Sequence, residues 1–229
     1  MTRSFVGSAR RAANPARAHL SRLLDGRFGQ GISTGGDIRQ AEQGYAYGIY
    51  RPTSWLMLHR LFGRLEIAED DVLVDIGSGM GRVVLMAARH PFKRVIGIER
   101  AADLTQIARD NLAAGRHRLR CADIELLTVD ALEWEVPDDL TVVYLYCPFP
   151  DEVLGPVLAK LIESLDRRPR SLRLLYNFST TKNREIVMAT GRARRVALSA
   201  PWYLRAAYRE ISMYRLSPAA PSGRPAARR

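Results

Sequence analysis

The chain has very little cysteine. Its 229 residues include only Cys121 and Cys147, which form neither a disulfide framework nor a pair at metal-binding spacing. Long apolar runs are also missing: 47% of the residues are hydrophobic, but no uninterrupted stretch approaches the roughly 20 residues that cross a bilayer. The sequence also shows no apolar h-region of a secretory signal peptide. These absences predict a soluble protein of a reducing cytoplasm, with no metal site and no membrane contact.

Acidic residues are absent from both ends of the chain, and this accounts for most of its net charge of +11. Residues 1–24 contain five arginines and residues 217–229 contain three, so that residues 25–216 carry a charge of only +3. So small an excess argues against a nucleic-acid partner. We expect a basic extension or cap at 1–44, a folded domain at 45–216 and a disordered basic tail after it.

The N-terminal extension allows two interpretations. A segment rich in Arg, Ser and Ala but without acids is typical of an organellar transit peptide. It is equally typical of an Ala/Arg-rich chain from a GC-rich bacterium. The C-terminal tail is also rich in Ala and Arg, although a targeting role is not plausible there. This shared composition favours the bacterial interpretation and a cytoplasmic location.

After residue 55, segments with the hydrophobic spacing of a helix alternate with short apolar segments typical of strands. Apolar residues at helical spacing predict a first helix, and short apolar runs separated by further helical patterns predict parallel strands joined by right-handed crossovers. We therefore expect an α/β, Rossmann-like fold: a seven-stranded, mostly parallel, doubly wound sheet with helices on both faces and an antiparallel C-terminal strand. The predicted strands are 72–76, 94–99, 124–129, 141–146, 172–178, 195–198 and 209–216, and the predicted helices are 55–65, 80–89, 102–114, 152–165 and 184–190.

The turn after the first predicted strand is rich in glycine. Residues 72–82 read Val-Leu-Val-Asp-Ile-Gly-Ser-Gly-Met-Gly-Arg. A dinucleotide-binding loop needs Gly-x-Gly-x-x-Gly, and here the third position is Arg82. The glycines instead alternate, and Asp75 precedes the first of them by two residues. The spacing therefore argues against a dinucleotide.

Asp-x-Gly-x-Gly-x-Gly resembles motif I of the class I S-adenosylmethionine-dependent methyltransferases. That cofactor has no pyrophosphate, but it carries an ammonium and a sulfonium that the Asp75 carboxylate can pair with. Glu99 ends the second predicted strand, where its two oxygens can accept both ribose hydroxyls. The resemblance implies that Asp130, beside Ala131 after the third strand, accepts a hydrogen bond from the adenine amino group.

A second resemblance lies upstream. Residues 45–55 read Tyr-Ala-Tyr-Gly-Ile-Tyr-Arg-Pro-Thr-Ser-Trp, similar to a Tyr-x-Pro-Thr/Ser-Pro/Trp segment in relatives of the ATP synthase c-subunit lysine methyltransferase. Residues 75–82 resemble the DOT1-like lysine methyltransferases. These likenesses imply that Tyr50 and Thr53 close over the methionyl end of the cofactor; the alternative is a plain lead-in to a helix. The predicted cofactor-binding residues are Tyr50, Thr53, Asp75, Gly77, Ser78, Gly79, Gly81, Glu99, Asp130 and Ala131.

The methyl acceptor is expected beyond the fourth strand. Many N-methyltransferases have Asn/Asp-Pro-Pro-Tyr/Phe there, and this chain keeps Pro148 and Phe149 but has Cys147 in place of the polar residue. Methyl transfer is a direct displacement that needs alignment and no covalent nucleophile, so Cys147 is better explained as a packing residue. The candidates for the acceptor site are Tyr146, Cys147 and Phe149.

An acceptor that arrives protonated also needs a base. His59 and Asp151 are candidate proton acceptors, and Tyr144 and Tyr176 are candidates to line the pocket. None of these four has a sequence context that singles it out, and each has a structural explanation: strand tyrosines usually rim a core, and a helix histidine usually packs.

The resemblances favour a methyltransferase that acts on an amine, with a protein lysine as the leading acceptor. A small-molecule O- or N-methyltransferase of bacterial secondary metabolism is the first alternative. A nucleic-acid methyltransferase is a second, because arginines cluster at 116–120 and 167–170, although solvated helix ends explain these clusters more simply. A binding module that has lost turnover is the alternative of another class.

Overall fold

A computed structural model describes residue 32 and residues 52–146, 151–177, 179–196 and 211–219, with the side chain of residue 151 excluded. Tyr50 and the segment 147–150, which includes Cys147 and Phe149, lie outside the described residues. The elements are α1 (Trp55–Phe62), β1 (Val72–Ile76), α2 (Arg82–Ala87), β2 (Arg94–Glu99), α3 (Ala102–Gly115), a 3₁₀ turn (Arg116–Arg118), β3 (Asp123–Thr128), β4 (Val142–Tyr146), α4 (Asp151–Arg167), β5 (Leu172–Asn177), α5 (Thr181–Ala189), β6 (Ala193–Val196) and β7 (Ile211–Leu216).

These strands form one seven-stranded sheet in the order β3-β2-β1-β4-β5-β7-β6. Within the set β1 to β5, all neighbouring strands pair in parallel. Strand β7 runs antiparallel to both of its neighbours, β5 and β6. The fold predicted from the sequence, including the antiparallel C-terminal strand, is confirmed.

Side chains alternate between the two faces of the sheet, as strand geometry requires. On one face, Val72 and Val74 join a cluster with Leu158 of α4. On the other face, Leu73 packs with α1 and α2 residues such as Leu58. Both faces are buried, which is why the central strands are almost wholly apolar.

Element ends depart from the predicted ones where local hydrogen bonding decides. The structure begins α2 at Arg82 rather than at residue 80, because Gly81 before it is left-handed (φ 80°). It begins α5 three residues early, because Thr180 and Asn183 form a capping box in which each side chain accepts from the other's backbone N–H at 3.0 Å.

The first residues of the predicted tail are held by the domain. Ser217 N donates to Arg192 O (3.1 Å), and Ala219 N donates to the Asp166 carboxylate (3.0 Å). At the other end of the chain, Ile32 packs against the α1–α2 cluster. The rest of both predicted extensions lies outside the described residues. No helix in the described part is both long and apolar enough to cross a membrane.

The amino edge of the sheet is clamped by a buried carboxylate. Asp71 accepts from Thr141 Oγ1 and from Ala68 N, both at 2.7 Å, and Arg173 Nη2 lies 2.6 Å from its second oxygen. These contacts tie the chain before β1 to the starts of β4 and β5. The opposite, carboxyl edge holds the site. The strand order reverses between β1 and β4, where an open α/β sheet leaves a crevice for ligands.

Candidate functional site

The turn from β1 to α2 has a backbone that only glycine adopts readily. Gly77, Gly79 and Gly81 have φ values of 79°, 52° and 80°, in the left-handed region that costs other residues roughly 1–2 kcal/mol each. A Cβ on Gly81 would also lie 3.0 Å from Ala108 Cβ of α3. The alternating glycines therefore set a tight turn that lets α3 pack closely behind it.

Three acids step across neighbouring strands at this edge. Asp75 of β1 is opposite Gly97 of β2, so Glu99 lies two residues further along. Glu99 is opposite Thr128 of β3, so Asp130 lies two residues further again. Each step is about 7 Å along the strand direction. The sheet thus spreads three carboxylates along one side of the crevice.

Asp75 is the buried member of this row, with 2% of its surface exposed. Burial raises the pKa of its carboxyl well above the usual value, and the nearby Glu99 raises the pKa further. Among the described residues, no salt bridge includes Asp75. A buried carboxylate beside another acid is an electrostatic cost that a bound cation would relieve.

Glu99 braces the glycine turn. Its Oε2 accepts from Gly79 N and its Oε1 accepts from Ala101 N, both at 2.9 Å. Each carboxylate oxygen has a second lone pair. Glu99 can therefore fix the turn and still accept hydrogen bonds from a ligand's hydroxyls.

Asp130 is more exposed and is partly committed to its own loop. Its Oδ1 accepts from Leu132 N at 2.9 Å, and its Oδ2 lies 3.9 Å from Arg100 Nη1. Its neighbour Ala131 is half-buried against the α4-side core. The carboxylate lies at the outer end of the acidic row.

Ser78, between the first two glycines, faces the interior. Its N donates to Ile98 O at 2.9 Å, and its Oγ lies 3.0 Å from where a Cβ on Gly97 would be. The hydroxyl is buried and has no hydrogen-bond partner among the described residues. Ser78 therefore supports the turn from behind, and Gly97 is needed for the space.

Arg82 ties the segment before α1 to the glycine turn. Its Nη1 donates to Thr53 O at 2.9 Å, and its guanidinium lies 5.1 Å from the centre of the Trp55 ring. Only 7% of the residue is exposed. The sequence argument used Arg82 only as a missing glycine. The feature of the sequence that could have indicated this linking role is the arginine itself, at a position where a dinucleotide-binding loop has glycine.

A polar cluster lies next to Asp75 beneath the start of α1. Thr53 Oγ1 and Tyr144 OH are 2.8 Å apart, and Asn177 Nδ2 donates to Tyr144 OH at 3.0 Å. All three residues are buried. Sequence reasoning missed Asn177, because a single Asn at a strand end carries no pattern.

Other candidates lie elsewhere. Tyr176 belongs to the core on the α4 side of the sheet, opposite the polar cluster. His59 acts electrostatically on His90, which follows α2 at the amino edge. These two therefore do not line the site. Tyr146 is half-buried and pairs with Asn177.

Comparison with known proteins identifies the type of domain. Residues 39–133 match the model of a family described as "Histone methylation protein DOT1". Over 54 residues, 23% of this chain and 3% of the relative, the sequence is 39% identical to a histone-lysine N-methyltransferase specific for lysine 79 of H3 from Drosophila melanogaster.

A solved RNA methyltransferase from Salinibacter ruber, in complex with S-adenosyl-L-homocysteine, superposes with a TM-score of 0.54 and 26% identity over 76% of this chain and 98% of its own. This is a domain of the class I S-adenosylmethionine-dependent methyltransferase type. The methyltransferase domain is also 29% identical over 101 residues to a protein named as a probable ribosomal RNA small subunit methyltransferase A from Methanopyrus kandleri. The chain spans 32% of that relative and 3% of the histone-lysine enzyme.

The site of the methyltransferase domain suits the cofactor of its class. A left-handed glycine turn brings bare backbone to the crevice, and Asp75 offers a buried negative charge for a cationic ligand end. Glu99 has spare acceptor capacity for two hydroxyls. These features fit S-adenosylmethionine better than an anionic dinucleotide, which a row of three carboxylates would repel.

Proposed function

We propose that this protein is an S-adenosylmethionine-dependent methyltransferase that methylates an amine nitrogen, with a protein lysine as the leading acceptor. The observation that carries the proposal is the buried Asp75 at the sheet switch point, in a row with Glu99 and Asp130. The match of residues 39–133 to the DOT1 family supports lysine as the acceptor.

In this proposal each acid has a separate task. Asp75 pairs with the ammonium of the methionyl end, Glu99 accepts the ribose hydroxyls, and Asp130 accepts from the adenine amino group. Thr53, held by Arg82, closes over the methionyl end together with Tyr50. Bound there, S-adenosylmethionine supplies an activated methyl group, and the protein contributes alignment and exclusion of water.

The acceptor amine has to reach the site without its extra proton. Tyr144 does not serve as the base, because burial raises the pKa of its phenol above the ordinary value and its hydroxyl is bonded to Thr53 and Asn177. Within the described residues, no other titratable group belongs to the polar cluster. We therefore infer that solvent takes the proton before the amine is aligned.

The test is a two-stage assay on the full chain. Calorimetric titration with S-adenosylhomocysteine should show saturable binding; its absence contradicts the proposal. Methyl-labelled cofactor is then incubated with host lysate, and the label is divided among protein, RNA and small molecules. Label in lysine-containing peptides is expected. Label confined to small molecules selects the small-molecule alternative, and no label with normal binding selects the non-catalytic module.

The pH dependence of binding is a further prediction. The pKa of Asp75 is raised in the free protein, and a bound ammonium will lower it, so binding releases a proton at pH values below the free-protein pKa. Affinity should therefore fall as the pH drops through that pKa. Calorimetry in two buffers of different ionisation enthalpy measures the released protons. The same number in the Asp75→Asn variant would assign them to another group.

The link through Arg82 gives another prediction. Arg82→Met keeps much of the side-chain volume but loses the hydrogen bond to Thr53, so cofactor affinity should fall by about 1–2 kcal/mol, or roughly 5- to 30-fold. Arg82→Lys, which keeps a donor, should lose less. Arg109→Met, at an exposed position on α3, is the matched control. Equal affinities in all four proteins would mean that Thr53 takes no part in binding.

RNA is the second candidate acceptor, because one relative and one solved structure similar to this chain are named as RNA methyltransferases. The chain also has a basic surface, at the edge of the sheet opposite the crevice. Arg120 N and Cys121 N donate to Ala88 O at 2.8 and 3.0 Å, which brings the segment 116–120 against the end of α2. Burial lowers the pKa of His90 there, and His59, Arg120 and Arg89 lower it further. Basic side chains from α1, from the end of α2 and from 116–120 thus lie near one another at this edge.

The other arginine cluster is structural. Arg167 Nη2 lies 2.9 Å from the Asp138 carboxylate, and Arg170 Nε donates to Leu140 O at 2.5 Å. Both residues hold the loop between β3 and β4. The sequence interpretation of 167–170 as solvated helix ends therefore understates these contacts.

Salt dependence tests the RNA candidate. If the surface at 116–120 binds phosphates, replacing Arg116 and Arg120 with Ala should weaken binding of a single-stranded RNA and reduce the slope of log K against log[salt] by about 0.7 per lost contact. Arg168→Ala is the exposed control. An identical slope in the variant and the parent would exclude this surface as an RNA site.

A further inference from the structure

Asn177 is a fully buried amide at the end of β5, with 0% of its surface exposed. Its Nδ2 donates to Tyr144 OH at 3.0 Å and lies 3.4 Å from Thr53 Oγ1 and 3.5 Å from Met57 Sδ. Its Oδ1 has no hydrogen-bond partner among the described residues. The amide thus has acceptors on its nitrogen side and, within the described part of the chain, no donor on its oxygen side.

A buried carbonyl without a partner costs desolvation free energy that packing does not return. Rotating the amide by half a turn does not remove the cost, because the nitrogen would then lose its acceptors. The three neighbours around Nδ2 fix the amide plane, so the oxygen is held facing away from them. The part of this cluster that the structure describes therefore offers no donor to the oxygen.

The position of Asn177 relates it to the acceptor site. It pairs with Tyr146 of β4, and the next residue of the chain after Tyr146 is Cys147. That is where the Asn/Asp-Pro-Pro-Tyr/Phe pattern of N-methyltransferases has its amide or carboxyl group. Neighbouring strands are about 4.8 Å apart. Asn177 therefore lies one strand spacing from Tyr146, the residue that precedes, in the sequence, the position where this chain lacks the amide of the pattern.

The cluster also connects Asn177 to the cofactor residues. Tyr144 is opposite Asp75 in the register of β1 and β4, and Asp75 acts electrostatically on its phenol. Thr53, which contacts the Tyr144 hydroxyl, is held by Arg82 beside the glycine turn. The amide of Asn177 is thus linked through Tyr144 and Thr53 to Asp75 and to the glycine turn.

We propose that Asn177 is the acceptor-binding amide of this enzyme, whose Oδ1 accepts a hydrogen bond from an N–H of the methyl-accepting amine. This inference rests on the proposed function and names the group that recognises its substrate. The hydrogen bond turns the nitrogen lone pair toward the methyl carbon. The N–C bond then forms as the C–S bond breaks, sulfur keeps the bonding pair as a neutral thioether, and the methylated ammonium later releases its proton to water.

The experiment measures binding of n-butylamine, a mimic of the lysine side chain, to the full chain saturated with S-adenosylhomocysteine. The parent should bind it saturably. Asn177→Ala should weaken n-butylamine binding tenfold or more while S-adenosylhomocysteine affinity stays within twofold. Asn177→Asp should restore binding, because its oxygens accept from the butylammonium. Ser212→Ala, a buried polar-to-apolar change on neighbouring β7, is the matched control and should bind like the parent.

The outcomes separate this inference from the proposed function. Failure of S-adenosylhomocysteine to bind the parent contradicts the proposed function. Normal S-adenosylhomocysteine binding with no n-butylamine binding to the parent, or with equal n-butylamine binding to the parent and to Asn177→Ala, overturns the role of Asn177. A loss in Asn177→Ala that Asn177→Asp does not restore also overturns it, since that pattern indicates damage to packing.

Discussion

The Asp75→Asn variant should be more stable than the parent protein without cofactor, yet bind S-adenosylmethionine roughly 10- to 150-fold more weakly. The weaker binding corresponds to the loss of a charge-assisted hydrogen bond, about 1.5–3 kcal/mol. The added stability follows from removing a buried negative charge that faces Glu99 and that no described cation pairs with. The ionised Asp75 side chain thus lowers the stability of the free protein but strengthens cofactor binding.

The sign of the stability effect depends on pH. The pKa of Asp75 is raised in the folded protein, so the folded state holds the proton more tightly than the unfolded chain. Ionisation of Asp75 therefore reduces stability as the pH rises above the unfolded-chain pKa of about 3.9. The gain in melting temperature from Asp75→Asn should be larger at pH 8 than at pH 4.5.

Asp70→Asn is the matched control, because it makes the same change in charge at an exposed residue five positions earlier. It should change neither the melting temperature nor the affinity appreciably. Scanning calorimetry and cofactor titration measure both quantities. A lower melting temperature for Asp75→Asn at pH 8, or an unchanged affinity, would show that Asp75 is not a strained carboxylate awaiting a cation.

Asp71→Ala should have the largest effect on stability, with no effect on cofactor affinity. Asp71 and Arg173 form a buried ion pair, with 8% and 18% of their side chains exposed. Removing one partner of such a pair costs about 3–5 kcal/mol, because the remaining charge is left buried and uncompensated. The lower end is expected here, since Arg173 is partly exposed and also donates to Glu66 O.

For a domain of this size, a loss of about 3 kcal/mol lowers the melting temperature by roughly 6–12 °C. Asp139→Ala is the control at the same edge of the sheet: its ion pairs with Lys93 and Arg94 are more exposed, and such pairs contribute about 1 kcal/mol or less. Similar losses in the two variants would mean that the clamp at Asp71 is no stronger than a surface pair. Weaker cofactor binding in Asp71→Ala would mean that the two edges of the sheet are coupled.

Much of the fold was readable because its signals are local. Residues 72–76 and 94–99 are short apolar runs followed by turns, and the structure has strands with these same bounds. Alternating glycines with an acid in front predicted a tight turn, and the three positive φ values agree with it. The start of α5 was misplaced, because a Thr-x-x-Asn capping box differs from the usual Ser/Thr-x-x-Glu pattern.

The candidate site was readable only in part. Asp75, Glu99 and Asp130 each lie at or just beyond the carboxyl end of a strand, and parallel strands bring these ends to one edge, so the acidic row could be expected. Arg82 and Asn177 could not be assigned, since their partners Thr53 and Tyr144 are 29 and 33 residues away in the chain. His59 was a candidate base until the structure placed it beside His90, at the other edge.

The sequence alone determined the class of fold and the kind of cofactor, because hydrophobic period and glycine spacing act over a few residues. Only the tertiary structure decided how the site is held. It decided that the pKa of Asp75 is raised, because the burial of Asp75 and its proximity to Glu99 depend on how β1 and β2 pack. It also brought the Asn177 amide beside the strand end where Cys147 follows, because strand register joins residues that the chain keeps far apart.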